Sequence, residues 1–332
     1  MSERLRVAVV GAGGWGEQHA RIFSRREDTE LCAVVGRTPD RTQKRAERYG
    51  ATPYTDLALM LQREHPDLIT VCLPNEDHFD VTLQLVRTGV PLLVEKPLVF
   101  DLTEADTLLA EAGDQFFAIN FNHRYAEPVQ RAKALIDAGE IGEPVFATWR
   151  FGGEANHGNS PHANLIETQC HGFDMLEHLV GRIANVSAHM TDKTYGDFST
   201  LALALDFENR AVGTMLGSYD SSYGYPDSQR VEINGTEGRL VIHDTVRALT
   251  FSRVGDDVER RWHSGYFNDE ARYFAGTFDR HVDAILDALR AGTKAPVHAE
   301  AGRRALQLAH AAIQSHETGR RITVVSAAST PA

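Results

Sequence analysis

Three groups of side chains in this 332-residue sequence have the types and spacing to do chemistry. The first is the turn Gly11-Ala12-Gly13-Gly14-Trp15-Gly16, directly behind the apolar run Leu5–Val10. In a Gly-x-Gly-x-x-Gly turn the first glycine allows a tight bend and the second lets backbone approach a pyrophosphate. The third lets helix and strand pack closely. N–H groups at the start of the next helix, Gly14 and Trp15 among them, then face negative charge. A plain strand–helix corner would also carry glycines, but position 11 inside a strand–helix–strand pattern argues for a dinucleotide.

The second group is Glu95-Lys96-Pro97, at the end of the apolar run Leu92–Val94. A cation at the carboxyl end of a parallel strand stands where such sheets bind ligands. Interconverting an alcohol and a ketone needs a proton donor or acceptor beside the carbon that exchanges hydride, and a lysine can serve. A surface Lys96 paired with Glu95 is the competing reading. The third group is Glu167, His171 and Asp174, one face of an expected helix from about Thr168 to Val180. An acid and a histidine one turn apart can orient a diol and relay a proton. Asp174 reads as structural.

About twenty residues beyond the glycine turn, an NAD site would place a carboxylate on the adenosine ribose. This sequence has Gly36-Arg37-Thr38 there, with Arg41 close behind. Arg37, assisted by Thr38 or Arg41, suits a 2′-phosphate, so NADP is preferred to NAD. Thr38 also fits a helix N-cap with Pro39 at the first helical position.

These groups need a scaffold. Leu5–Val10, Leu31–Val35, Leu68–Leu73, Leu92–Val94 and Phe116–Ile119 read as buried strands. They alternate with helical stretches such as Pro39–Tyr49, Asp77–Thr88 and Thr103–Ala112. That alternation predicts an α/β fold with a parallel sheet covered on both faces. After the helix Glu127–Ala138 the period changes. Leu201–Phe207 alternates at period two, and Gly235-Thr236-Glu237-Gly238 separates two strands as a hairpin would. A second α/β domain on an open, mostly antiparallel sheet follows. The expected domains are residues 1–123 and 124–325, with 326–332 a frayed tail. Two closing helices, carrying Phe278, Val282, Ile285 and Leu289 and then Ala301, Ala305, Leu308 and Ala312, could return to the first domain.

A net charge of −12 disfavours nucleic acid as a partner. The sequence shows no membrane-length apolar run and no signal-peptide core. Cys32, Cys72 and Cys170 form no disulfide framework, which fits a reducing cytoplasm.

The glycine turn, then Leu73-Pro74-Asn75-Glu76-Asp77-His78, then Glu95-Lys96-Pro97-Leu98, resemble the Gfo/Idh/MocA oxidoreductases. Gly139-Glu140-Ile141-Gly142-Glu143-Pro144 and Val231–Gly238 are similar to later segments of that family. The resemblance implies a Rossmann domain and a second domain whose open sheet makes homodimers or homotetramers. It implies that Lys96 meets the substrate oxygen and that the Lys96–Pro97 peptide is cis. Glu95 would lie near the nicotinamide ribose, and Pro74, Asn75 and His78 would line the cofactor cleft. A helix-start role is the alternative for His78. Where the family commonly has aspartate, four residues before the histidine, this sequence has Glu167. The segment Asn120-Phe121-Asn122-His123-Arg124-Tyr125 is similar to one near the nicotinamide, making Asn122 and Arg124 candidate ligand donors. A hinge salt bridge explains Arg124 equally well.

Trp149 and Arg150 end a strand and are weaker candidates for lining a substrate pocket. His157, His162 and His171 with Glu154 and Glu167 fit no metal-ligand spacing, so no metal is expected and His157 is assigned to substrate. Cys170 is read as packing. The leading expectation is an NAD(P)-dependent dehydrogenase or reductase of a secondary alcohol on a sugar, inositol or derivative. Two others stand beside it: cleavage or elimination by transient oxidation with bound NAD, and a non-catalytic dinucleotide sensor.

Overall fold

The computed structural model describes residues 4–74, 78–153, 161–193, 197–265 and 273–324. The chain divides into two compact units. One holds the residues up to Asn120 together with His281–Arg303; the other holds Phe121–Arg280 and the residues from Arg304 onward. The division thus runs after Asn120, where the sequence expectation stood at 123. The returning piece holds the helix Ala275–Arg290 from His281 onward and the first turn of the helix Glu300–Thr318.

In the first unit β1 (Leu5–Val10), α1 (Gly14–Ser24), β2 (Thr29–Val35), α2 (Pro39–Tyr49), β3 (Thr52–Tyr54), α3 (Leu57–Glu64), β4 (Leu68–Val71), α4 (His78–Val86), β5 (Leu92–Val94), α5 (Leu102–Ala112) and β6 (Phe117–Ile119) alternate. The strands form one parallel sheet in the order β3-β2-β1-β4-β5-β6. Val7, Ala8, Val9, Leu68, Ile69, Leu92, Val94 and Ile119 are fully buried, as strands covered on both faces must be. The order reverses between β1 and β4, the crevice where such sheets take ligands. The sequence reading did not include β3 and α3: three residues containing Pro53 carry no period, and Pro is tolerated there because β3 is an edge strand. Pro39 opens α2, and Gly50, at φ 71°, closes it in the left-handed region.

The second unit contains α6 (Glu127–Asp137), β7 (Pro144–Gly152), α7 (Cys170–Leu179), β8 (Ile183–Thr191), β9 (Thr200–Phe207), β10 (Val212–Ser218), β11 (Gln229–Gly235), β12 (Gly238–His243), β13 (Ala248–Arg253) and β14 (Glu259–His263). After α8 (Ala275–Arg290) and α9 (Glu300–Thr318), β15 (Ile322–Thr323) joins its far edge. The nine-stranded order is β14-β13-β12-β11-β7-β10-β9-β8-β15, and every pair except β7–β10 is antiparallel. In β9, Leu201, Leu203, Leu205 and Phe207 are buried while Ala202 and Ala204 are exposed. One face therefore carries core and the other lies open, with Val212 52% and Leu216 43% exposed.

The expected helix over 168–180 is corrected. Asn164–Thr168 form a π turn, and the regular helix begins at Cys170. The wider turn breaks the 3.6-residue spacing on which a shared face for Glu167 and His171 was argued. No helix among the described residues is long and apolar enough to cross a membrane. The tail 326–332 lies outside the described residues.

Candidate active site

The glycine turn meets three different steric demands. Gly11 has φ +125°, and a Cβ there would stand 2.2 Å from the Cys72 carbonyl oxygen. A Cβ on Gly16 would fall 1.7 Å from the Gly11 carbonyl, so helix and strand touch there through backbone alone. Around Gly13 and Gly14 nothing lies within 4 Å of such an atom. Gly13 is the N-cap of α1, with extended backbone and no side-chain cap. The first turn of α1 accordingly borders open space at Gly13 and Gly14. A groove of about 260 Å³ runs here, lined by Gly11–Trp15, Gly36, Arg37, Thr38, Arg41 and Cys72–Pro74. Glycines 11 and 16 build this cradle, and Gly13 leaves it open for a pyrophosphate. The residues fit the dinucleotide the turn predicts.

Arg37, Thr38 and Arg41 are exposed beyond the end of β2, with no carboxylate among the described residues that line the groove. Thr38 is the N-cap of α2, although its hydroxyl makes no cap bond. Pro74 lines the groove; Asn75 lies outside the described residues. His78 heads α4, is 3% exposed and donates from Nδ1 to the Leu98 carbonyl at 2.9 Å. Burial lowers its pKa.

Lys96 is half-buried just past β5, and the Lys96–Pro97 peptide is cis. Glu95 turns inward instead, with 5% exposure. Its Oε1 accepts from His19 Nε2 at 2.8 Å and from Asn120 Nδ2 at 2.7 Å, and Asn120 Oδ1 meets His281 Nδ1 at 2.8 Å. Burial alone would push the Glu95 carboxyl up; His19 foremost, with Asn120 and Lys96, holds it below the carboxylate range. His19, Cys72 and Glu95 bring N, S and O ligand atoms within 4.8 Å of one another. None of His19, Cys72, Asn120 and His281 was singled out from sequence. His19 and His281 lie among other polar helix residues, Cys72 and Asn120 at the ends of apolar strands, and only the fold brings the four together.

In the second unit His171 opens α7 at 6% exposure. Its ring stacks on His123, centroids 4.0 Å apart and 5° from parallel, and meets the edge of Phe121 at 5.7 Å. Phe274 stands perpendicular to His123 at 5.2 Å, and Phe151 stacks on it at 6.0 Å. Two imidazoles thus share an aromatic cage, and His123 is the member the sequence reading passed over. Its only signal was the segment Asn120–Tyr125.

Arg124 donates Nε to Asp174 Oδ2 at 2.8 Å and Nη2 to Oδ1, tying the 3₁₀ turn Asn122–Tyr125 to α7. Burial pushes the Asp174 carboxyl up and the guanidinium opposes it. The pair is a salt bridge within the second unit. Asn122 gives its amide to the Thr277 hydroxyl at 2.6 Å. Trp149, 2% exposed, donates to Gln169 Oε1 at 2.9 Å and supports the first turn of α7 from beneath. Arg150 reaches the Asp227 carbonyl. Glu167 is half-exposed in the π turn beside Thr168, whose hydroxyl pairs with Tyr219 at 2.6 Å. Burial pushes the Tyr219 phenol up, and the charge of Glu167 adds to it. His162 stacks on Phe198 at 4.9 Å, away from any shared ligand set with His171 among the described residues. His157 and Glu154 lie outside those residues.

A parallel sheet with a phosphate-cradling turn at its switch point, followed by a second α/β unit, defines a dinucleotide-binding class of protein. The oxidoreductase-family model for the NAD-binding Rossmann fold matches residues 5–119, and that for the C-terminal alpha/beta domain matches 133–324. The chain belongs to the Gfo/Idh/MocA oxidoreductase family. It is 25% identical to myo-inositol 2-dehydrogenase of Thermotoga maritima, over 96% of this chain and 98% of that one. D-glucoside 3-dehydrogenase of Escherichia coli is 30% identical over 59% of this chain and 62% of its own length. Levoglucosan dehydrogenase in complex with NADH shares the fold with a TM-score of 0.88 at 18% identity, covering 98% of this chain and all, 100%, of that one.

Proposed function

We propose that the protein reversibly oxidises a secondary alcohol on a sugar, inositol or related polyol with a nicotinamide dinucleotide. The observation that carries this is the placement of Lys96. It stands at the carboxyl edge of β5, beside β4, whose own end from Cys72 to Pro74 floors the dinucleotide groove. Bound there, the nicotinamide supplies the carbon that takes or gives hydride. Lys96 and His171 then exchange the hydroxyl proton, and Glu167 orients the neighbouring hydroxyl. Asn122, Arg124, Trp149 and His157 complete the substrate side. The names of the relatives, inositol and glucoside dehydrogenases, support a polyol.

Arg37, Thr38 and Arg41 favour NADP over NAD in this reading, since a guanidinium can pair with the 2′-phosphate and no carboxylate among the described groove residues repels it. The open sheet face, with Val212 and Leu216 exposed, supports a homodimer or homotetramer. Three buried free thiols are consistent with a reducing cytoplasm. The test is turnover of a panel containing myo-inositol, scyllo-inositol, methyl glucosides and levoglucosan, followed by nicotinamide absorbance. Reduction of added NADP or NAD by at least one polyol, lost in Lys96→Ala, supports the proposal. Cleavage of a glycoside without consumption of free cofactor would replace it with transient-oxidation chemistry.

A further inference from the structure

We propose that the buried chain His19–Glu95–Asn120–His281 positions Lys96, so that the segment returning from the C-terminal half is part of the working edge of the dinucleotide-binding unit. The inference rests on the reading of Lys96 as the proton-handling residue.

Hydrogen-bond direction fixes the logic. An ionised carboxylate only accepts, so the Asn120 amide must turn its NH₂ toward Glu95. Its carbonyl oxygen is then left facing His281, whose Nδ1 must donate. His19 donates from Nε2. Every hydrogen in the chain therefore points toward Glu95, from α1 on one side and from α8, by way of the residue after β6, on the other. Backbone bonds add to this: the Glu95 N–H donates to Val71 at 2.9 Å and the Asn120 N–H to Val94 at 2.8 Å. The ends of β4, β5 and β6 are thus locked around a side chain that is the immediate neighbour of Lys96. Among the described residues the titratable groups facing Glu95 are His19, Cys72, His78 and Lys96, with His281 one hydrogen bond further out. A buried chain satisfied at each link is rigid, and one broken link leaves a buried donor or acceptor unpaired. His281 is the informative link: it is fully buried, and its Nδ1 meets Asn120, one hydrogen bond out from Glu95.

The experiment compares full-length wild type, His281→Ala, His281→Asn and Lys96→Met. The side-chain amide of asparagine can replace the Nδ1–H donor. Measured are kcat on the panel polyol turned over fastest, dinucleotide Kd by cofactor fluorescence, and the acetylation rate of the residue-96 amine by acetic anhydride, which needs no substrate. His281→Ala is expected to lower kcat about tenfold, part of the 10²–10⁴ that a positioned proton donor contributes. It should change Lys96 acetylation at least about threefold and leave Kd within about twofold, and His281→Asn should restore both values. Unchanged kcat and acetylation in His281→Ala overturns the proposal, as does a kcat loss that tracks Kd or that asparagine fails to restore. Lys96→Met separates the two failures. If it keeps kcat, the proton role of Lys96 is wrong; if it loses kcat while His281→Ala keeps it, the chain alone is wrong.

Discussion

Replacing His19 by glutamine should flatten part of the protein's stability profile on the alkaline side. The His19 ring is 1% exposed, and burial works against a charge on it. The Cys72 thiol and the Glu95 carboxylate more than offset that cost and push the imidazole from its ordinary 6.5 up to about 10. A group that binds its proton more tightly folded than unfolded stabilises the fold fully below its unfolded pKa. The contribution falls as pH rises and is gone above the folded value. Between those limits the slope is about 1.4 kcal/mol per pH unit. From pH 7 to pH 9 the wild type should therefore lose about 2–3 kcal/mol through this one residue. In His19→Gln the side-chain amide can still donate to Glu95, but no proton is released. Urea unfolding of both proteins at pH 7, 8 and 9 reads the effect of His19 with its partners Cys72 and Glu95, because titrating groups away from them cancel in the difference. Parallel stability profiles for the two would mean that His19 is neutral in the folded protein, and the ion pair with Glu95 would have to be abandoned.

Three further outcomes follow from the geometry. Arg37→Ser should cut kcat/KM for NADP about tenfold to a hundredfold, the worth of one or two charge-assisted hydrogen bonds, and leave NAD nearly unchanged; equal losses with both cofactors would remove the 2′-phosphate reading. Gly13→Ala should fold with wild-type stability yet bind dinucleotide poorly, whereas Gly16→Ala should lose stability by about 2 kcal/mol or more because its Cβ would meet the Gly11 carbonyl at 1.7 Å; paired melting and fluorescence titrations distinguish them. His123→Ala opens the cage around His171 and should lower kcat about tenfold or more with dinucleotide Kd unchanged, while His123→Phe, which keeps the stack, should lose less; the reverse order in steady-state assays would show that His123 does more than hold a ring.

The fold was legible wherever burial makes a period. Leu5–Val10 and Leu92–Val94 are buried on both faces and read as unbroken apolar runs; Leu201–Phe207 is buried on one face and alternates. The strand of three residues after α2 and the π turn ahead of α7 left no such trace. A π turn is one extra residue in a helical stretch, and hydrophobic spacing over five residues does not distinguish it from a regular turn. The glycine turn was legible for a different reason: Gly11, Gly13 and Gly16 each answer a separate backbone constraint, so their spacing carries the geometry directly. Histidines 19, 123 and 281 carry no comparable spacing, since their partners come from other elements.

Glu95 and Lys96 show why adjacent residues in one motif need not share a task. Past the end of a strand, neighbouring side chains diverge, and here one is nearly sealed while its neighbour is half-buried at the sheet's ligand-binding edge. The resemblance placed Glu95 near the nicotinamide ribose, yet both hydrogen bonds found on its carboxylate come from protein side chains, His19 and Asn120. An acid so held keeps its charge in the interior at a cost that those donors and the nearby Lys96 charge offset. That cost is understandable if the carboxylate acts through its neighbour, by keeping the backbone under Lys96 in one conformation while hydride and proton leave the same carbon–oxygen unit. A surface acid could pair with the lysine more cheaply, but it would leave the amine free to wander from the hydroxyl.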